Sequence, residues 1–216
     1  LSIREKILSL DFKLIFLILL LGTISIFAMF STERGIFGYY TESHVYRFFI
    51  FFLIFILISF IDIKFWFKFS YLFYALVLIL LICVKFFGIT ASGSTRWINL
   101  FFINLQPSEL MKIALIIFLA RYYNRLPSTD VSKLKYLIQP AFALLIPVAL
   151  VIDQPDLGTA LLIALGGMFV VWLAGLGMKF FIYTFFGFIC FTPIVIAFLK
   201  PYQKVRILTF LNPERD

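Results

Sequence analysis

Leu14 to Phe30 reads LIFLILLLGTISIFAMF, an uninterrupted run without a single charged side chain. A helix needs about twenty predominantly apolar residues to cross a bilayer, and flanking Lys, Arg, Tyr or Trp complete shorter runs at the interface. Six further stretches have the same character: Phe48–Ile61, Tyr71–Ile89, Pro107–Ala120, Tyr136–Ile152, Leu157–Ala174 and Phe180–Leu199. Of the 216 residues 63% are hydrophobic and 14% charged, with mean hydropathy +1.07. Water-soluble chains run near half apolar with about a quarter charged, so a soluble globule is excluded. The reading is an all-α polytopic membrane protein with seven transmembrane helices. The first run is too long for a cleaved signal peptide, is followed closely by further spans, and ends in no small-residue cleavage site.

The basic residues fix an orientation. With a cytoplasmic amino terminus, Arg4, Lys6, Lys13, Lys64, Lys68, Arg121, Arg125, Lys133, Lys135 and Lys179 fall on the cytoplasmic side, against Arg34, Arg47, Lys85 and Arg96 opposite. Lys200, Lys204, Arg206 and Arg215 also fall opposite, in a tail read as part of a long translocated segment that escapes the charge rule. Positive charge favours the cytoplasmic side, so the amino terminus is expected there. The net charge of +8 forms no single stripe, which argues against a nucleic-acid partner. The chain begins at Leu1 and stops at Asp216 in a polar run, and is expected to be one transmembrane domain, 1–216, cut from a longer polypeptide.

Local signals refine the helices. Pro140, Pro147 and Pro193 fall inside spans, where each should kink its helix and free a carbonyl for a neighbouring helix to satisfy. Gly166-Gly167 should mark a close helix contact. The phenylalanines, thirty in number, are assigned to lipid-facing bulk. Cys83 and Cys190 sit in apolar runs and read as packing residues. The single histidine, His44, stands in the first outer loop without a second ligand nearby, so no metal site is expected. Neither a phosphate-cradling glycine loop nor a serine–histidine pair can be assembled.

Chemistry concentrates in Gly88 to Lys112, GITASGSTRWINLFFINLQPSELMK. The Gly, Ser and Thr residues read as a turn, and Arg96 to Phe102 as an interfacial or re-entrant element too short to span. Pro107 suits the first turn of a helix, where its missing N–H has no intrahelical partner. Glu109 and Lys112, three residues apart, share a face of that helix. Two readings of this pair stand: a helix-end carboxylate with a snorkelling lysine, or a charged pair facing a wet cavity open to the outer side. The second is favoured because Lys112 lies more than a turn inside the span. A second stretch, Asp153-Gln154-Pro155-Asp156-Leu157-Gly158-Thr159, is read the same way, as a Gln-Pro turn with an acid in the first helical turn. Two helix N-termini facing one cavity would suit a phosphate-type anion, although Asp156 serves equally well as a cap.

These motifs carry a resemblance. Arg96-Trp97-Ile98 with Gln106-Pro107-Ser108-Glu109-Leu110-x-Lys112, then Gln154 to Leu161, then Tyr202 to Arg206 with Asn212 to Asp216, resemble the shape, elongation, division and sporulation (SEDS) family. Leu157 and Ala160 look more like its RodA elongation branch than its FtsW division branch. The resemblance implies ten helices, of which seven are present, and a cut at the start of the large outer loop after the seventh. It implies a peptidoglycan glycosyltransferase that polymerises lipid II at the outer leaflet of the bacterial inner membrane during elongation and rod-shape maintenance. Its partners would be lipid II, the lipid-linked glycan strand, membrane lipid and a class B penicillin-binding protein. The general-base aspartate is expected beyond Asp216, leaving Arg96, Glu109, Lys112 and Asp156 as substrate-binding candidates. A fragment ending at Asp216 would be inactive alone. A cofactor is not specified, a divalent cation being the one to test. Two other functions compete: a transporter flipping a lipid-linked precursor, and a scaffold that only recruits the crosslinking partner.

Overall fold

The computed structural model describes residues 3–91, 94–99 and 104–198. The tail motif from Tyr202 to Asp216 lies outside them. The described residues form eight α-helices: α1 Ile3–Leu8, α2 Phe12–Thr32, α3 Tyr39–Ser59, α4 Ile63–Phe87, α5 Pro107–Asn124, α6 Leu134–Asp153, α7 Leu157–Leu173 and α8 Met178–Phe198. Each of the seven apolar runs lies mainly within one helix from α2 to α8. By length and composition α2, α3, α4 and α6 can each cross a membrane, while α7 is apolar but only 17 residues long.

The all-α expectation needs a correction. Between α4 and α5 the chain forms a small antiparallel sheet of β1 Ile89–Ala91, β2 Ser94–Asn99 and β3 Asn104–Leu105, in the order β1-β2-β3. Part of the segment expected to be interfacial or re-entrant, Arg96 to Asn99, is therefore strand. Thr90 and Thr95, β-branched, pair across the first ladder.

The chain divides into two compact units, Leu1–Phe65 and Trp66–Asp216. In the first, Asp11 caps α2 by accepting from the N–H groups of Lys13 and Leu14 at 3.0 and 3.1 Å. Gly22 is buried where α2 meets α3, and a β-carbon there would overlap the ring of Phe48. Glu33, just past α2, closes the connection: its carboxylate accepts from the backbone N–H of Tyr40 (3.1 Å), from that of Thr41 (2.8 Å) and from the Thr41 hydroxyl. The Thr41 hydroxyl bond is the main reason that carboxyl is held below its usual pKa. Anchored this way, α3 begins at Tyr39, nine residues before the apolar run starts. His44 consequently lies in α3 rather than in a loop, with its Nε2 2.8 Å from the Ser25 hydroxyl.

The second unit has a continuous core drawn mainly from α4, α5, α6 and α7, in which Leu81, Leu115 and Leu119 are fully buried. Gly167 lies at the crossing of α5, α6 and α7, where a β-carbon would overlap Leu144 and stand 3.1 Å from Leu115. Gly166, by contrast, has only Ile116 within reach, at 3.9 Å. Of the paired glycines, one makes the close contact that small residues permit in lipid.

Pro140 and Pro147 lie inside α6, and each deprives a carbonyl four residues earlier of its helical donor. Those carbonyls are Tyr136 and Ala143. The Tyr122 hydroxyl of α5 donates to the first at 3.1 Å and the Tyr74 hydroxyl of α4 to the second at 2.8 Å. Both freed acceptors thus find donors on neighbouring helices, as a chain without access to water in the bilayer requires.

The outward faces are as apolar as the core. Phe16, Leu21 and Phe27 of α2 are 64%, 65% and 67% exposed, and α3, α4 and α6 present similar side chains. Continuous apolar surface on this scale is stable only against lipid or another protein.

Candidate functional site

Arg96 is delivered by a flaw in the strand pairing. Ile89 pairs with Trp97, but the next pair is Thr90 with Thr95, so Arg96 has no residue opposite it. A bulge of this kind bends the strand and re-aims the extra side chain. The guanidinium reaches the start of α7, where Nη1 lies 3.3 Å from Asp156 Oδ2 and Nη2 donates to the Pro155 carbonyl at 3.2 Å. Its Nε is buried and has no protein partner.

Asp156 is the N-cap of α7 and not a residue of its first turn, which corrects the likeness drawn between the two Gln-Pro stretches. Oδ1 accepts from the Thr159 N–H at 3.2 Å, and Oδ2 takes both Arg96 and the Gln106 side-chain amide, the latter at 3.3 Å. Its carboxylate is thereby committed on both oxygens. Gln106 is itself the N-cap position of α5, followed by Pro107 at the first helical turn. Through this one amide the starts of α5 and α7 are tied together. Gln154, the apparent counterpart of Gln106, does something else: it ends α6 and donates to the Leu81 carbonyl at 3.0 Å, buried. Gln106 and Gln154 were missed as functional or structural side chains because spacing along the chain says nothing of a partner fifty or more residues away.

Glu109 and Lys112 meet as their spacing predicts, Nζ to Oε2 at 2.8 Å, with the lysine side chain 27% and the carboxylate 54% exposed. At the same end of the unit Lys85 and Asp153 pair at 2.8 Å in a far more open setting. The four sequence-predicted residues are therefore brought together as two pairs, Arg96 with Asp156 and Glu109 with Lys112. Among the described residues no three His, Cys, Asp or Glu side chains gather into a metal-binding group. The arrangement offers two cations, one rigidly held and one on a flexible stem, each with its own carboxylate. Chemically, guanidinium and ammonium groups so placed can donate charge-assisted hydrogen bonds to an anion through the N–H groups their carboxylates leave free.

The FtsW/RodA/SpoVE family, described as cell cycle proteins, matches residues 8–216. The chain belongs to this family. It is 38% identical over 146 residues to the peptidoglycan glycosyltransferase MrdB of Escherichia coli (strain K12), a match covering 66% of this chain and 38% of that protein. To a protein of Wigglesworthia glossinidia brevipalpis named "Probable peptidoglycan glycosyltransferase FtsW" it is 32% identical over 220 residues, covering 98% of this chain and 57% of the other. The chain thus spans between 38% and 57% of the length of these curated relatives. Among solved structures it is similar to a chain described under the structural coordination of polymerization and crosslinking by a peptidoglycan synthase complex. That likeness has a TM-score of 0.84 at 28% identity, over 97% of this chain and 61% of the other. It is similar also to the rod shape determining protein RodA of Thermus thermophilus, with a TM-score of 0.73 at 26% identity, over 83% of this chain and 58% of that one. MrdB relatives and RodA structures together support the RodA branch. Family and apolar helices make this a multi-pass membrane protein.

Proposed function

We propose that the protein is a peptidoglycan glycosyltransferase of the RodA branch that polymerises lipid II at the outer leaflet of the bacterial plasma membrane during elongation, alongside a class B penicillin-binding protein. The observation that carries this reading is the Arg96–Asp156–Gln106 network, which joins β2, α5 and α7 through the motif residues themselves. In the reaction, the 4-hydroxyl of a GlcNAc attacks the anomeric carbon of a MurNAc joined to lipid pyrophosphate. The bond from that carbon to the phosphate oxygen breaks with inversion, and the hydroxyl proton passes to a general base. The resemblance puts that base beyond Asp216. The residues here take the other half of the work. Arg96, held by Asp156 and the Pro155 carbonyl, directs its remaining N–H groups at the departing pyrophosphate, and Lys112 adds a second positive charge released from Glu109. Preorganised cations aimed at developing negative charge are among the largest contributions to catalysis. Asp156 positions Arg96 and does not itself touch substrate.

The topology proposed with this reading has a cytoplasmic amino terminus and ten helices, of which α2 to α8 are the first seven, in one transmembrane domain. A reporter in the loop at 127–135 then reads cytoplasmic and one at Gly93 external, and reversed signals at both overturn the placement. The function is tested by giving the full-length protein lipid II in detergent. Glycan strands formed without any sealed compartment support the polymerase and exclude pure transport. No strands, with lipid II translocated in vesicles, favours the flippase. Neither activity, with a penicillin-binding protein retained, leaves the scaffold.

A further inference from the structure

Away from the paired charges, the first turns of α4, the last turn of α5 and the first turn of α6 are locked to one another. Arg121 Nη1 donates to the Lys68 carbonyl at 2.6 Å and to the Ser70 hydroxyl at 3.3 Å, and its guanidinium lies 4.3 Å from the Tyr71 ring centroid. The Tyr122 hydroxyl ties the same end of α5 to the Tyr136 carbonyl. On this scaffold Lys68, Arg125 and Lys135 are exposed and have no ion-pair partner among the described residues. Two of them lie over aromatic rings, Lys68 over Phe69 at 5.5 Å and Lys135 over Tyr136 at 5.7 Å. Lys133 is already taken by Asp130 at 2.7 Å.

We propose that this end of the second unit is a docking surface for the headgroups of anionic phospholipid. The occupant has to satisfy two layers at once. The cations call for a phosphate that keeps its negative charge. Just along the helices from them, Leu72 and Ile138 are 56% and 50% exposed and call for acyl chain. A free anion answers only the first layer, and a zwitterionic lipid, whose choline offsets its phosphate, answers only the second. Basic clusters at a helix end gain from each anionic headgroup they meet, and aromatic rings at headgroup depth fix the height at which they do so. Because Arg121 is held by a carbonyl, a hydroxyl and a ring, the surface is shaped before lipid arrives. This inference is independent of the glycosyltransferase reading.

The test uses the full-length protein in mild detergent, delipidated and then given phosphatidylglycerol, phosphatidylcholine of the same acyl chains, or inorganic phosphate. Native mass spectrometry counts retained lipid and a melting curve reads stabilisation. Phosphatidylglycerol should be retained and should raise Tm, with the effect shrinking as salt rises. Arg125→Gln and Lys135→Gln should each weaken retention about fivefold and together about twenty-five-fold, while Lys135→Arg keeps it. Both side chains are exposed, so the single variants remain readable even if the double variant folds poorly. Equal retention of phosphatidylcholine, equal stabilisation by inorganic phosphate, or wild-type retention in both single variants would each overturn the proposal.

Discussion

At one end of the Trp66–Asp216 unit three cations each meet a carboxylate: Lys85 with Asp153 at 2.8 Å, Arg96 with Asp156 at 3.3 Å and Lys112 with Glu109 at 2.8 Å. At the other end, among the described residues of the unit, Lys68, Arg121, Arg125, Lys133 and Lys135 have one carboxylate beside them, Asp130. Each cation of the first end is matched by a carboxylate, whereas at the second Arg121 is held by neutral groups and Lys68, Arg125 and Lys135 face outward. The pairs at the first end are themselves unequal. Lys85 and Asp153 are 61% and 56% exposed, against 21% and 10% for Arg96 and Asp156. Water screens the former, and open pairs of that kind contribute about 0–1 kcal/mol. The Arg96–Asp156 pair sits where removing one member leaves the other without its counter-charge.

The contrast breaks most visibly at Lys112. If the paired end is functional, Lys112→Met in the full-length protein lowers the rate of lipid II polymerisation about a hundredfold, the order lost when one positioned donor is removed. With Glu109 54% and Lys112 27% exposed, Glu109→Gln and Lys112→Met should each cost only about 0–1 kcal/mol of stability, the double variant less than their sum, and the double variant should not regain rate. Near-normal turnover in Lys112→Met, with stability effects that simply add, would reduce the pair to helix-end electrostatics.

Stability takes the next step down. Asp156→Asn preserves a capping side chain for α7 but strips the charge beneath Arg96, so a loss of about 3 kcal/mol is expected from melting in detergent. Arg96→Met added to it should recover most of that loss. A loss no larger in Asp156→Asn than in Asp153→Asn would show that the two pairs are equivalent and that burial is not what separates them.

How much of this was legible beforehand differs between the two kinds of interaction. The apolar runs located α2 to α8, because in lipid the backbone has no other way to satisfy itself. The pairing of Glu109 with Lys112 followed from a spacing of three on a helix. The β1–β2 hairpin was missed although its cue was present, with Thr90 and Thr95 bracketing Ala91-Ser92-Gly93-Ser94, because Arg96 to Phe102 reads equally well as an interfacial segment. The Arg96–Asp156 contact joins residues sixty apart through a bulge, and no periodicity encodes that. The likeness of Gln106 to Gln154 misled, since one begins a helix and the other ends one.

A neutral interaction in the middle of the unit separates charge from mere polar satisfaction. Tyr74→Phe leaves the Ala143 carbonyl without its donor, at a cost of about 1–3 kcal/mol for a buried acceptor. Pro147→Ala supplies the missing helical N–H, so Tyr74→Phe should cost much less in that background. Equal losses with and without Pro147 would mean that the hydroxyl contributes by packing alone.

The smallest effect belongs to the ion pair that the described residues form at the basic end. Lys133 donates to Asp130 at 2.7 Å, and that hydrogen bond is the first reason the Asp130 carboxyl is held below its ordinary 3.8 and the Lys133 ammonium above its ordinary 10.5. A depressed carboxyl contributes stability that is present above its unfolded pKa and lost as pH falls through the folded one. A raised ammonium contributes stability that is present below its unfolded pKa and lost as pH rises through the folded one. The pair therefore helps between those limits, and Asp130→Asn should lower Tm slightly across neutral pH, with the difference from wild type closing in strong acid and again in strong alkali. Both groups are open to water, so the gap should also narrow with salt. If Asp130→Asn instead raised retention of phosphatidylglycerol, Lys133 would join Lys68, Arg125 and Lys135 once its carboxylate is gone. The basic end would then be holding one cation in reserve behind Asp130, as the paired end holds Lys112 behind Glu109, but with exposed cations beside it that no carboxylate occupies among the described residues.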